Sequence, residues 1–292
     1  MRQRTAVIPE ETPINASRVR AHVHERARRD LEVLFRVSLA VQQVVRDTGN
    51  TPHRADVVAM GADGSPTEEL DRLAEAEILR VLDAEGVKWD LLSEEIGHVA
   101  RGGDRTLVVD PIDGSTNALR NLPFATVSLA LGERDLAGIE TGVVRDLYRG
   151  TTYWASRGAG AFCDGRPIRT RPWVARGQLC FVNLGSHATE RAVRLAGKAR
   201  RIRSLGCASL EMLMVAQGSA DAYYFENTPD GRNLRATDIA AAYRILTEAG
   251  GGVGNAAGAP LDGFPLTAEG RTSVFAWGDP AFPKAAVAEG YL

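Results

Sequence analysis

The sequence predicts an α/β protein built in two styles, an α+β first half followed by an α/β second half. Two patterns lead to this. Between residues 29 and 172, two segments of helical period precede a run of short apolar segments spaced as strands. Between 173 and 292, strand and helix patterns take turns. Composition bounds the class. A chain of 292 residues, 44% hydrophobic and 25% charged, can bury a large core and is neither disordered nor fibrous.

Residues 1–28 are mostly polar, carry Pro9 and Pro13, and read as an N-terminal arm. Leu31, Leu34, Phe35, Val41, Val44 and Val45 recur at helical spacing, which predicts an amphipathic helix from Leu31 to Val45. The Gly-, Asp- and Pro-rich stretch 51–66 reads as a long loop. A second helix then carries Leu70, Leu73, Ile78, Leu79 and Leu82 to about Ala84. Strands are expected at 90–93, 106–110, 124–132, 138–145 and 151–155, and Gly158, Gly160 and Gly165 mark a tight hairpin. The stretch 169–178 reads as a hinge. In the second half strands are expected at 179–184, 201–204, 222–226 and 272–277, with helices at 189–199, 208–217, 238–249 and 280–289. Gly250–Gly254 follows a helix, so it reads as a C-cap and turn and not as a dinucleotide loop.

The 35 basic and 37 acidic residues leave a net charge of −2, so neither nucleic acid nor a membrane surface is an expected partner. Cys163, Cys180 and Cys207 lack metal-type spacing and make no disulfide framework. No apolar run is long enough to span a membrane, and the N-terminus lacks a signal-peptide core. A cytoplasmic protein is expected.

The chemistry is concentrated at Asp110-Pro-Ile-Asp113-Gly-Ser-Thr-Asn117, directly after the apolar run Leu107-Val-Val109. Asp110 is expected at a strand end, Pro111 to terminate the strand, Gly114 to turn, and Ser115 to begin a new segment. Two carboxylates and a turn's free N–H groups can converge there, the first attracting a hard cation and the second an anion. Ser93-Glu94-Glu95 ends another strand segment, and Asp238 lies in the first turn of a helix. Each feature alone has an ordinary explanation: turn residues, a solvated acidic pair, a helix cap. Their occurrence in order, each at an element boundary, points to a metal-assisted phosphate site.

These residues resemble the inositol monophosphatase family of Mg2+-dependent, lithium-sensitive phosphatases. Asp110-Pro-Ile-Asp113-Gly-Ser-Thr looks like its first signature, and Leu234-Arg-Ala-Thr-Asp238-Ile-Ala-Ala, running on to Gly251, like its second. Ser93-Glu94-Glu95 matches its metal-binding Glu pair. Gly61-Ala-Asp-Gly-Ser-Pro-Thr67, followed by Asp71, is similar to the catalytic loop of the archaeal branch that acts on inositol phosphates and fructose 1,6-bisphosphate. The resemblance implies a five-layer αβαβα sandwich forming one continuous unit, a homodimer, and two to three Mg2+ ions per site, replaceable by Mn2+. Glu94, Asp110 and the Ile112 carbonyl would hold one ion, and Asp110, Asp113 and Asp238 a second. Asp71, Glu94 and Ser115 are the implied catalytic residues, with water as the nucleophile. The N–H groups of Gly114, Ser115 and Thr116 would hold the phosphate. Asp113, Gly206, Ala208, Glu226 and Arg203 are the implied substrate contacts. Asparagine at position 113 or 238 is expected to abolish turnover and leave the fold intact.

Two departures bear on substrate choice. Ala118 stands where the family commonly has an aromatic residue, and Thr237 where it often has Trp. Residues 227–233 also look longer than the usual connection to Asp238. A haloacid dehalogenase-type phosphatase is the alternative enzyme, although its two Asp stand one residue apart and here Pro111 and Ile112 intervene. A catalytically silent metal- or phosphate-binding module is the non-enzymatic alternative.

Overall fold

The computed structural model of the protein describes residues 23–49, 55–60, 66–175 and 178–290. Two helices open the fold, α1 (Glu25–Thr48) and α2 (Glu69–Ala84), joined through a hairpin of β1 (Val57–Met60) and β2 (Pro66–Glu68). The hairpin lies where the sequence predicted only a loop. Strand-to-strand pairing, invisible in a Gly- and Pro-rich composition, decides it.

The first sheet holds β3 (Asp90–Ser93), β4 (Gly97–Val99), β5 (Thr106–Asp113), β6 (Thr126–Gly132), β7 (Ile139–Asp146), β8 (Thr152–Ser156), β9 (Gly160–Cys163) and β10 (Arg166–Ile168). Their order is β10-β9-β8-β7-β6-β5-β3-β4, antiparallel throughout except for the parallel pair β3 and β5. The second sheet holds β11 (Leu179–Val182), β12 (Arg201–Arg203), β13 (Ala222–Phe225), β14 (Gly252–Gly254) and β15 (Val274–Trp277), in the order β12-β11-β13-β15-β14. There β11 is parallel to both neighbours and the remaining pairs are antiparallel. The remaining helices are α3 (Ser115–Leu119), α4 (Glu190–Lys198), α5 (Ala208–Ala216), α6 (Ala236–Glu248) and α7 (Ala281–Ala288).

Strand alternation sorts these elements into layers, because successive side chains point to opposite faces. Leu91, Leu107, Val109 and Leu129 pack with Leu34, Val41, Leu70 and Ile78 of α1 and α2. Their neighbours Leu92, Val108 and Ala130 face the other way, onto Met212 of α5 and Ile239 and Ala242 of α6. The same middle cluster takes in Phe181, Tyr223 and Ala276 from the second sheet. On that sheet's far face Cys180, Tyr224 and Phe275 pack on Leu195 of α4 and Phe282 of α7. The result is the five-layer αβαβα sandwich. Its middle layer must fit between two sheets, so α6 is buried on nearly every side and rich in alanine. Gly142 of β7 permits the approach, since a Cβ there would stand 2.7 Å from the Ala241 carbonyl oxygen.

Three local expectations are corrected. Pro111 does not end β5, which runs on to Asp113 after a break in register between Asp110 and Asp113. A bulge accommodates the missing N–H donor and re-aims the side chains around it. β4 was not foreseen, and Gly252–Gly254 forms a short strand instead of a turn alone. Residues 61–65 of the loop resemblance and residues 1–22 of the expected arm lie outside the described residues, and α1 begins at Glu25, inside the stretch expected as arm. No described helix is long and apolar enough to cross a membrane. All three cysteines are free thiols.

Candidate active site

The site forms where β3 and β5 end. The parallel pairing sets Ser93 beside Val109, so Glu94 emerges next to Asp110. The N-terminus of α6 brings Asp238 against both. Oxygens of Glu94, Asp110 and Asp238 all lie within 4.8 Å of one another. The bulge shapes this point, because the Ile112 N–H turns back to Asp110 Oδ1 at 3.1 Å.

Three carboxylates this close resist ionisation. Burial and the nearby Asp238 charge push Glu94 up to about 8. Burial, then Glu94, Asp113 and Asp238, hold Asp110 well above the ordinary carboxylate range. Burial also raises Asp238, against the pull of Arg235. The Arg235 guanidinium is buried, bonds Glu94 Oε1, and stands 3.9 Å from Asp238 Oδ1. The Arg235 backbone N–H donates to Asp238 Oδ2 at 2.8 Å, which seats the acid in the first turn of α6.

Asp113 sits beside this cluster but turns into the N-terminus of α5. Its Oδ2 accepts the Ser209 N–H at 2.6 Å, the Ser209 hydroxyl at 2.5 Å and the Cys207 thiol at 3.3 Å. Among the described residues its Oδ1 accepts the Ala208 N–H alone, at 3.1 Å. Burial raises Asp113 to about 6, and the Ser209 bonds oppose the rise. Cys207, the N-cap residue, supplies no side-chain cap, so an acid from the first sheet does the capping. Gly114 follows with φ +87°, and a Cβ there would meet the Phe124 carbonyl oxygen at 2.6 Å. The Asn117 amide donates to the Phe124, Leu205 and Gly206 carbonyls at 2.9, 2.7 and 3.2 Å, locking the 114–117 turn to the 205–208 turn.

Asp71 is buried in the first turn of α2. Burial raises it to about 9, with Glu95 and Glu68 adding to the shift. Ser115, the first residue of α3, is half-buried.

The model of the family described as inositol monophosphatase matches residues 25–276. The chain belongs to the inositol monophosphatase family. Membership makes it a phosphoric monoester hydrolase and leaves the haloacid dehalogenase alternative without support. One relative is the fructose-1,6-bisphosphatase/inositol-1-monophosphatase of Methanothermobacter thermautotrophicus, 37% identical over 264 residues, 85% of this chain and 91% of the relative. Human inositol monophosphatase 1 is 35% identical over 167 residues, 54% of this chain and 57% of the relative. Among solved structures, a Pyrococcus horikoshii protein described by its similarities to inositol-1 monophosphatase superposes with a TM-score of 0.76 at 23% identity, covering 90% of this chain and 98% of that one.

Thr116 and Arg203 are exposed, and Arg203 Nη1 donates to the Ile202 carbonyl at 2.7 Å. Gly206 and Ala208 belong to the turn that Asn117 and Asp113 grip. Glu226 is already engaged, by the Thr189 hydroxyl at 2.6 Å, the Tyr224 hydroxyl at 2.7 Å and Arg191 at 3.3 Å. Residues 227–233 lie against the 183–188 connection through an Asn227–Ala188 bridge and the Thr228 N–H to the His187 carbonyl. Ala118 and Thr237 are buried, and the Thr237 hydroxyl donates to Asp238 Oδ1 at 3.3 Å.

Four further residues had no role assigned from the sequence, although Ser209, Glu211 and Arg235 lie within stretches that resemble the family. Glu75, buried on α2, accepts a bond from Ser93 and so supports the strand end that precedes Glu94. Its signal was its place one helical turn after Asp71. Ser209 and Glu211 follow Gly206 closely in sequence. Glu211, pushed up to about 8 by burial, accepts the Leu205 N–H at 2.6 Å. Arg235 stood within the second signature, but no spacing rule marks an arginine as facing carboxylates.

Proposed function

We propose that the protein is a divalent-metal-dependent phosphomonoesterase acting on a small sugar, inositol or nucleoside phosphate. The supporting observation is the convergence of Glu94, Asp110 and Asp238 from three elements, with ligand atoms within 4.8 Å of one another. Three acids gather there about the Arg235 guanidinium, an excess of carboxyl groups that a divalent cation would favour in the ionised form. The cluster's donors are all oxygen, which suits Mg2+ or Mn2+ and not zinc. Glu94, Asp110 and the Ile112 carbonyl would hold one ion, and Asp110, Asp113 and Asp238 a second. Asp113 Oδ1 accepts one bond where Oδ2 accepts three, so Oδ1 keeps the capacity to ligate. Bound ions of this kind acidify water and neutralise phosphate charge.

The chain's own groups supply the remaining steps. Asp71, reluctant to ionise amid its acidic neighbours, is a stronger base once ionised, and would take the proton of the attacking water. The Ser115 hydroxyl would hold that water in line. The N–H groups of Gly114, Ser115 and Thr116 would bind the phosphoryl oxygens as charge shifts onto them. Gly206 and Ala208 form one wall, Glu226 braces the adjoining loop, and Arg203 with Lys198, Arg200 and Arg201 would meet a second anionic group. The relative named as both fructose-1,6-bisphosphatase and inositol-1-monophosphatase favours small polyol phosphates. A cytoplasmic homodimer is the expected working form.

Phosphate release from inositol monophosphate, fructose 1,6-bisphosphate and nucleoside monophosphates, with Mg2+ and with EDTA, tests this reading. Release that EDTA abolishes, concentrated on one ester, is expected. EDTA-resistant release would overturn it. Metal binding without turnover of any ester would favour the silent module.

A further inference from the structure

Arg235 ties the two walls of the carboxylate cluster together. Its backbone N–H holds Asp238, and its guanidinium holds Glu94 across the cleft from α6 to the end of β3. The same guanidinium is 3.9 Å from Asp238 Oδ1. Its charge acts on all three acids, opposing the burial that would neutralise Glu94, Asp110 and Asp238. Arg271 adds a smaller attraction, to Asp238. An arginine keeps its charge at every working pH, so it is a permanent countercharge.

A divalent cation at Glu94 would share that carboxylate with the guanidinium, and it brings two positive charges close to a third. Resting on the reading that the cluster holds such an ion, we infer that Arg235 is a resident cation competing with metal for Glu94. It keeps Glu94 and Asp238 ordered while metal is absent and weakens metal binding when metal arrives. Arg235 is thus a positioning residue that sets the metal concentration at which the site fills.

The test is calorimetric titration of Mg2+, and separately Mn2+, into the metal-stripped full chain, paired with thermal unfolding of the metal-free proteins. Arg235→Gln removes the charge. It is expected to bind metal about tenfold more tightly or better, because repulsion between like charges a few Å apart is strong in a buried site. Its metal-free form is expected to melt lower than wild type. Arg235→Lys keeps the charge and loses the planar fork. It is expected to stay within about threefold of wild-type affinity while also melting lower without metal. Unchanged or weaker metal binding by Arg235→Gln would overturn the inference and leave the metal reading standing. If Arg235→Gln does not fold, an unchanged metal-free melting temperature in Arg235→Lys would overturn it. If the wild type takes up neither ion, the inference and the metal reading fail together.

Discussion

Two buried charge clusters can be compared across the first sheet. In one, Arg105 meets Asp30 of α1 through Nη1 at 2.6 Å and Nη2 at 3.0 Å, with Glu140 at 3.1 Å. Arg105 and Asp30 are both almost fully buried, and a two-point fork joins them. In the other, one guanidinium faces Glu94 and Asp238 while Asp110 stands with them. In the first cluster the one buried acid, Asp30, is paired directly with the buried guanidinium, while Glu140 is partly exposed to solvent, and the pair pins a helix to a sheet. The second keeps an excess of acid at a strand end, and that imbalance is what a cation-binding site requires. Buried charge therefore does not by itself mark function. The informative quantity is how far the local charges fail to cancel.

Substitutions should separate the two clusters. Asp238→Asn removes a donor from the unbalanced cluster, and phosphate release is expected to fall by at least about 10²-fold. Its metal-free fold should survive, because one buried like charge is gone. A metal-free melting temperature far below wild type would break the comparison. Arg105→Met strands Asp30, and a loss of about 3–5 kcal/mol in denaturant unfolding is expected, with metal affinity unchanged. A loss of metal binding there would show that the Arg105 cluster also serves the site.

Asp113 belongs to both kinds. Asparagine at that position would set an amide against the donors of Ala208 and Ser209 at the start of α5. The metal-free protein is expected to lose about 1–3 kcal/mol, as well as turnover. The sequence-based expectation that Asp113→Asn spares the fold is thereby revised. Unchanged unfolding would restore it.

The smallest expected effect is on pH dependence. Glu94 and Glu211 are raised to about 8 and Asp71 to about 9, above the ordinary carboxylate values of the unfolded chain. The folded metal-free protein then binds more protons than the unfolded one between pH of about 4 and those values. Its stability must fall as pH rises through that window. Mg2+ should flatten the fall by favouring the ionised acids. Melting temperatures from pH 5 to 9, with EDTA and with Mg2+, measure this. A metal-free protein that gains stability with rising pH would reverse the assignment.

Much of this molecule is legible in its residues. Apolar period placed α1 and α2, and most strands fall within a residue or two of their expected bounds. Glu94 and Asp238 were marked by standing at element boundaries, where side chains leave the packed layers, and Asp110 by the Pro111 after it, where β5 breaks register without ending. What escaped depended on partners distant in sequence. The β1–β2 hairpin needed a pairing strand, and the extension of β5 through Pro111 needed a neighbour to bulge against. Glu226 looked available until Thr189, Tyr224 and Arg191 closed on it. By itself the sequence determined most of the helix and strand segments and which acids stand near their ends, since those follow from period and local turn chemistry. Only the tertiary structure decided that Asp113 caps α5 and that Arg235 reaches Glu94, 141 residues away. Hydrogen bonds and Coulomb forces act over a few Å in space, and sequence separation does not register in them.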